Sequence, residues 1–273
     1  GDVYTTRYDY AQGLWDGAAR EFRGFGTVKV IDANGNFIET DFLQDAIFHG
    51  RILEQRSYDS IRQLFGWTEY IWKSQPIAPG SDFAYLSAKG NFIYDGNSSG
   101  KSTREEYFYE ETPQLGNLTR VEQLGEVNLS RLDSGTDLRR IKTEYNNDLT
   151  NWIIGLPKTT RVEDYYNQLA RQTWFYYDAK GLLTKKEDWA GTGNVNPVTL
   201  YSYDAIGNLS TTTDPKGNIT RVTYDTVYSM FPLATENALA HKVINEYFGV
   251  NGVPLTGSDG LSGLCGQVRS TTD

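Results

Sequence analysis

The chain has 273 residues, of which 38% are hydrophobic and 14% aromatic, with 27 Gly, a net charge of -9 and a mean hydropathy of -0.53. An acidic chain with no basic stripe cannot displace counterions from phosphate, which excludes a nucleic-acid partner and disfavours anionic membrane surfaces. One Cys and two His exclude a disulfide framework, a thiolate metal cluster and a histidine-rich metal site, so no cofactor is expected. No apolar run reaches the roughly 18 residues of a membrane span, and no basic segment followed by an apolar one opens the chain as a signal peptide would.

Taken in chain order, the first element is a strand already in progress over Gly1–Asp9. Asp32-Ala-Asn-Gly-Asn36 has the look of a calcium loop, but its glycine is at the fourth place and its twelfth position is Leu43, so it reads better as a hairpin turn. Residues 41–54 and 59–72 carry some helical spacing, yet their flanks alternate, and strand–turn–strand is expected for both. Tyr58-Asp59, Tyr107-Phe-Tyr109 and Tyr145-Asn-Asn-Asp148 are weak echoes of a unit that becomes regular later. Its regular copies are Phe175-Tyr-Tyr177-Asp178-Ala-Lys-Gly181, Tyr201-Ser-Tyr203-Asp204-Ala-Ile-Gly207-Asn208-Leu209, and Asp214-Pro-Lys-Gly217 running on to Tyr224-Asp225. Each copy puts an alternating stretch before an Asp-x-x-Gly turn (Asp-x-x-Gly-Asn at 204–208 and 214–218), expected to supply the positive-φ residues of a tight hairpin, and a second alternating stretch after it. One copy is therefore a hairpin of about 20 residues, and stacked hairpins build a long sheet. Loops are expected at 75–81, 97–102, 194–197 and 257–263. The chain stops at Ser270-Thr-Thr-Asp273, midway through a unit, and so reads as a piece of something longer.

The pattern over 203–225 closely resembles the RHS/YD repeat. Trp15-Asp-Gly17 and the stretch Arg20-Glu21-Phe22-Arg23-Gly24-Phe25-Gly26 look like the segment that joins propeller to repeats in B-components of insecticidal toxin complexes and in SpvB-like proteins. Phe48-His-Gly-Arg51 and Trp152-Ile-Ile-Gly-Leu-Pro157 fit the same family. The resemblance implies an all-β fold, an extended, curved antiparallel sheet of stacked YD-repeat hairpins forming part of an RHS shell. The whole of 1–273 then reads as one repeat region of a larger protein, with a divergent opening segment over 1–75 and more regular repeats over 76–273. It further implies a structural, encapsulating role without enzymatic activity. The partners would be the remainder of the same shell, an enclosed polypeptide and a toxin-complex subunit, in a secreted or cell-surface bacterial protein. A core with aspartate-based self-cleavage, which complete shells of that family carry, is not found in this chain.

Sharper chemistry was weighed against plainer roles for each remaining candidate. The pairs Glu105/Glu106, Glu110/Glu111 and Glu163/Asp164 point to opposite faces of a strand, so they cannot flank one sugar as a glycosidase requires. His49 and His241 lack a nucleophile elbow, and Cys265 sits among glycines as a small loop or buried residue. Asn-x-Ser/Thr occurs at Asn97, Asn117, Asn128, Asn208 and Asn218, and the copies at Asn117, Asn208 and Asn218 come with the turn. The rings of Tyr176, Tyr201, Tyr203 and Tyr224 are expected to pair across strands. The alternative is a carbohydrate-binding module that stacks a glycan on exposed faces such as Trp174 and Trp189.

Overall fold

A computed structural model describes residues 4–94, 96, 100–110, 115–128 and 130–273. Every regular element among them is a strand, and there is no helix. The chain divides into two compact units, the first built from 1–145 and 161–170, the second from 146–160 and 171–273.

The first unit contains β1 (Arg7–Asp16), β2 (Glu21–Ile31), β3 (Phe37–Phe42), β4 (Ile52–Tyr58), β5 (Leu64–Ala78), β6 (Ser81–Ile93), β7 (Lys101–Tyr109) and β8 (Leu118–Glu126). Each pairs antiparallel with the next in the chain, and β8 pairs with β9 (Arg139–Asp148). The stretch 41–54 is strand–turn–strand as its flanks require, whereas 59–72 is a turn followed by the first part of β5. The long β5–β6 hairpin closes at Pro79-Gly80, where the sequence suggests a wider loop. Most of the loop expected at 97–102 lies outside the described residues. Cross-strand rings stack here: Phe37 on Tyr58 at 4.8 Å and Trp67 on Phe92 at 4.5 Å between centroids. The β8–β9 connection is clipped back onto β5 by Arg131, which donates to both carboxylate oxygens of Glu69 at 2.6 and 2.7 Å.

β9, β10 (Ile153–Glu163) and β11 (Leu169–Tyr177) contribute residues to both units. The second unit continues through β12 (Leu183–Asp188), β13 (Val198–Tyr203), β14 (Leu209–Thr213), β15 (Ile219–Tyr224), β16 (Pro232–Glu236), β17 (Lys242–Tyr247) and β18 (Val268–Thr272), again a meander of antiparallel neighbours from β11 onward. Loops join β12 to β13 across 194–197 and β17 to β18 across 257–263, as the sequence suggests.

Burial is thin. Among the described residues the buried apolar side chains are few, and Leu124, Val127 and Leu138 make the one buried cluster. The accessible surface is 17263 Å², where a compact monomer of 30.8 kDa would show roughly 12,000 Å². The strands bury few of their side chains, which accounts for the excess.

What holds such a sheet at its reversals is a five-residue turn used again and again. An Asp or Asn at its first place gives its N–H to the carbonyl four residues on, at Asp32, Asp59, Asn128, Asp164, Asp178, Asp204, Asp214 and Asn237. The fourth residue gives its N–H back to the first and takes positive φ. That is a type I turn followed by a left-handed residue, rather than the two positive-φ residues a two-residue hairpin would need, and Asn208 is not among the positive-φ residues. Glycine fills the left-handed place at 35, 181, 207 and 217, while Arg62, Arg131, Asn167 and Ala240 fill it with φ between 60° and 68°. An L-residue there costs about 1–2 kcal/mol.

Ala240→Gly should therefore stabilise the chain by about 1 kcal/mol once glycine's extra backbone entropy is set against the relieved strain. Gly207→Ala, at φ 109° with nothing closer than 3.9 Å to the new Cβ, should destabilise it by about 1–3 kcal/mol through the backbone alone. Urea midpoints at constant slope would read both; shifts of the same sign would contradict the assignment.

Candidate functional site

The repeat residues lie at the turns of the second unit, Asp178, Asp204 and Asp225 at one rim and Asp214 at the other. Asp204 Oδ1 accepts the N–H groups of Ile206 (2.9 Å), Gly207 (2.8 Å) and Asn208 (2.9 Å), and its Oδ2 accepts Asn208 Nδ2 at 2.9 Å. Asp178 accepts Lys180 and Leu182 N–H, and Asp214 accepts Lys216 and Asn218 N–H and Asn218 Nδ2. Asp225 turns a longer corner, taking N–H bonds from Val227 and Tyr228 on one oxygen and from Met230 and Phe231 on the other. The carboxylates are thus spent on backbone donors that a tight reversal leaves without partners.

The tyrosine before each aspartate does different work from that expected of it. Tyr203 and Tyr224 stack on no other ring among the described contacts, and Tyr176 carries Lys185 over its face at 3.7 Å. The hydroxyl of the tyrosine directly before each turn is what matters. Tyr177 donates to the Pro157 carbonyl (2.9 Å), Tyr203 to Leu183 (2.8 Å), Tyr224 to Leu209 (3.2 Å) and Tyr247 to Pro232 (3.2 Å). Leu183, Leu209 and Pro232 each open a strand just past the previous turn of that rim. Burial pushes the phenols of Tyr177 and Tyr203 upward, which keeps them protonated as donors.

The same tyrosines mark β-bulges. Register shifts fall at Tyr177, Tyr203, Tyr224 and Tyr247, where the strand partners are Leu183, Leu209, Pro232 and Val268. At the opposite rim, the pairings β12–β13, β14–β15 and β16–β17 run without a shift. Each leucine or proline so paired therefore also accepts the hydroxyl of the next tyrosine along. The rim is a ratchet: turn, bulge and hydroxyl bond repeat in register, and each step fixes the next.

At the start of the first unit, the stretch 20–26 serves a single corner. Asp16 Oδ1 takes the N–H groups of Ala18 and Ala19, while its Oδ2 binds the Arg23 guanidinium at 2.9 Å (Nε) and 2.6 Å (Nη2). The Arg23 side chain is 8% exposed, and Glu21 adds a second acid at 3.3 Å. Arg20 is left-handed at the turn (φ 55°) and Gly24 at the strand (φ 86°). Gly26 has no room for a Cβ, because the Gln12 side chain lies 2.6 Å from where one would stand. Gln44 then donates to the carbonyls of Gln12 and Gly24. Phe22 and Phe25 form an edge-to-face pair at 5.3 Å and stay largely exposed.

Among the described residues, the other candidate acids are each engaged by a partner or a turn. Glu105 accepts Tyr107 Oη and Gln123 Nε2, Glu106 accepts Arg104 Nε, and Glu163 binds Lys142 at 2.7 Å while Asp164 closes a turn. Those acids are partnered rather than simply solvated. Glu111 and Asn97 lie outside the described residues. His49 and His241 sit in turns, Cys265 is exposed in a loop, and Asp32–Asn36 is a turn. Among the described residues no group of three or more metal-binding side chains comes together. Trp174 and Trp189 are half-buried, whereas Trp15 and Trp152 are the exposed indoles. The turns at Asp59, Asn128, Asp164 and Asn237 escape a search for Asp-x-x-Gly, because Arg, Asn or Ala replaces the glycine; an Asp or Asn closing an alternating stretch is the signal that would have found them.

Part of this meander of Asx-turn hairpins with tyrosine-bonded bulges matches a known repeat family. Residues 177–219 match the family model of the RHS repeat, and residues 1–55 match that of the insecticide toxin TcdB middle/N-terminal region. Among solved structures, the chain is similar to TcdB2-TccC3 without its hypervariable C-terminal region, with a TM-score of 0.58 and 12% identity over 93% of this chain and 21% of that one. It is also similar to a chain of the Photorhabdus luminescens Tc holotoxin pore, with a TM-score of 0.60 and 13% identity over 90% of this chain and 19% of that one. The chain thus spans about a fifth of the length of the structures it matches, and at this identity the likeness is one of fold. No curated protein matches the sequence.

Acid should loosen the rim first. For Asp225, partial burial alone would raise the carboxyl, but the surrounding N–H donors outweigh it and hold the group down at about 2; Asn208 and Asn218, with the turn N–H groups, lower Asp204 and Asp214. A folded-state value below the ordinary 3.8 means stability that is whole above about pH 4 and lost as pH falls toward 2. Urea midpoints measured from pH 6 to pH 2 should drop across that window, and less steeply in Asp225→Asn. Equal profiles for the two proteins would contradict the role given to Asp225.

Proposed function

We propose that this chain is a structural section of an RHS-type shell wall, a scaffold that helps to enclose or present another polypeptide and catalyses nothing itself. The observation that carries the reading is the confinement of bulges to one rim of the second unit. A bulge bends its strand and adds twist, so repeating it at every second turn, on one rim only, curls a sheet in one sense. Strands that leave so few side chains buried suit a wall, with solvent on one side and cargo on the other.

The partners in this reading are the remaining wall of a longer chain, the polypeptide inside it and a companion toxin-complex subunit, in a secreted or cell-surface bacterial protein. The region 1–273 acts as one length of wall, its opening segment 1–75 anchored by the Asp16–Arg23 corner and its later repeats by the tyrosine rim. The similar structures are toxin complexes of TcdB2 and TccC3, which supports a toxin-associated setting. A glycan-stacking module is the less supported alternative, since Trp174 and Trp189 are half-buried.

The test is protection of a passenger. In a full-length protein carrying this wall, the downstream polypeptide should resist a protease that digests it readily when free. Changing Tyr203, Tyr224 and Tyr247 together to Phe should expose it while the wall itself remains folded. A passenger cut equally fast in both proteins and in isolation would overturn the proposal.

A further inference from the structure

Over β3 to β6 the two faces of the first unit's strands differ in charge. On one face, Lys29, Glu39 and Arg56 stand directly opposite one another across β2, β3 and β4. Asp41, Glu54 and Glu69 do the same across β3, β4 and β5. These groups satisfy each other: Arg56 binds Glu39 at 3.2 Å and Glu54 at 3.4 Å, and Trp67 Nε1 donates to Glu54. The chain also covers part of this face itself, because Arg131 of the β8–β9 connection holds Glu69.

Side chains alternate along a strand, so the residues between those point the other way. There Ile38, Ser57, Gly66 and Ile93 form one row across β3 to β6. Thr40, Gln55, Thr68, Asn91 and Thr103 form the next row, across β3 to β7. Neither row holds a charge. A sheet face that meets only water is polar throughout, yet Ile38 and Ile93 are 43% and 56% exposed. Between these two, a cavity of about 400 Å³ opens over the small residues Ser57 and Gly66. Three strand spacings separate the isoleucines, roughly 14 Å, which is the length of about four residues of extended chain. Beside this trough, Gln55 Nε2 donates to Thr40 Oγ1 and Thr68 Oγ1 to Asn91 Oδ1, both at 3.1 Å. Those bonds leave Gln55 Oε1 as an acceptor and Asn91 Nδ2 as a donor along its length.

An extended polypeptide answers all of these features together. Its apolar side chains fit between the isoleucines, and its uncharged N–H and C=O groups match the amides of Gln55 and Asn91. A lipid tail would strip those amides of partners, and a charged ligand would meet no counter-ion. Contacts made through the backbone hold a segment whatever its sequence. We propose that, in the shell wall proposed above, this uncharged face of the first unit is the one turned to the enclosed polypeptide, and that the trough between Ile38 and Ile93 holds an extended segment of it. The inference rests on the shell reading and adds which face the passenger meets.

Ile38 and Glu39 are neighbours on β3 with opposite directions, so a photo-reactive p-benzoylphenylalanine at one or the other, in the full-length protein with its passenger, tests the assignment. The same probe at Ile93 samples the far end of the trough. Illumination should join the passenger to the wall several-fold more from positions 38 and 93 than from position 39, as alternation requires. Protease resistance of the passenger, read on the same samples, shows that each probe protein is folded and separates the two claims. A passenger cut as fast as when free overturns the shell reading, and this inference with it. A protected passenger that is joined equally or better from position 39, or from none of the three, overturns the face assignment alone. So does a product that joins two copies of the wall in place of wall and passenger.

Discussion

A meander of hairpins leaves several backbone N–H groups without a strand partner at every reversal. The interaction that solves this is the acceptance of turn N–H groups by the side chain of an Asp or Asn at the turn's first place. Several donors converge on one carboxylate, so the turn is fixed by its own residues and does not wait for tertiary packing. With the reversal rigid, the tyrosine just before it is aimed, and its hydroxyl can reach the carbonyl that opens a strand beside the preceding turn. Remove the aspartate's bonds and the tyrosine loses its bearing; remove the tyrosine and adjacent turns are joined only by the strand ladder.

The two ends of the chain use this logic differently. Between β1 and β8, stacked aromatic pairs and ion pairs such as Arg56 with Glu39 and Arg131 with Glu69 share the work, and the turns are irregular in sequence. From β11 onward the turn–bulge–hydroxyl step repeats with few stacked rings, Phe231 with Tyr247 being one. A repeated step needs only a short local code, which is why the later repeats are recognisable in sequence and the earlier ones are not.

That difference also sets how much could be read beforehand. Tyr203-Asp204-Ala-Ile-Gly207-Asn208 declares its turn because glycine is the residue that takes positive φ without strain, so the place and direction of the hairpin are visible, although its type, with Gly207 alone and not Asn208 at positive φ, is not. Asn237-Ala-Leu-Ala240-His241 makes the same turn invisibly, since nothing about alanine signals φ 61°. The strand character of 41–54, and of 59–72 from Leu64 onward, was legible from alternation at their flanks. The task of the tyrosines was not: ring pairing was the natural expectation from composition, while a hydroxyl bond to a carbonyl one hairpin back depends on register that only the folded sheet fixes. Likewise Arg20–Gly26 was legible as a family segment, but its reason, a buried Arg23 locked to Asp16 and a Gly26 crowded by Gln12, needed the structure.

The account stands or falls on whether neighbouring rim turns are mechanically joined through tyrosine hydroxyls. Amide hydrogen exchange on Tyr203→Phe reads this directly, because the substitution deletes one oxygen and leaves the ring. Losing a bond worth about 0.5–1.5 kcal/mol should speed exchange up to about tenfold at Leu182 and Asn208, the two turns that the hydroxyl ties together, and leave Asn218 on the opposite rim unchanged. Exchange that is unaltered at both turns, or accelerated equally on both rims, would contradict it.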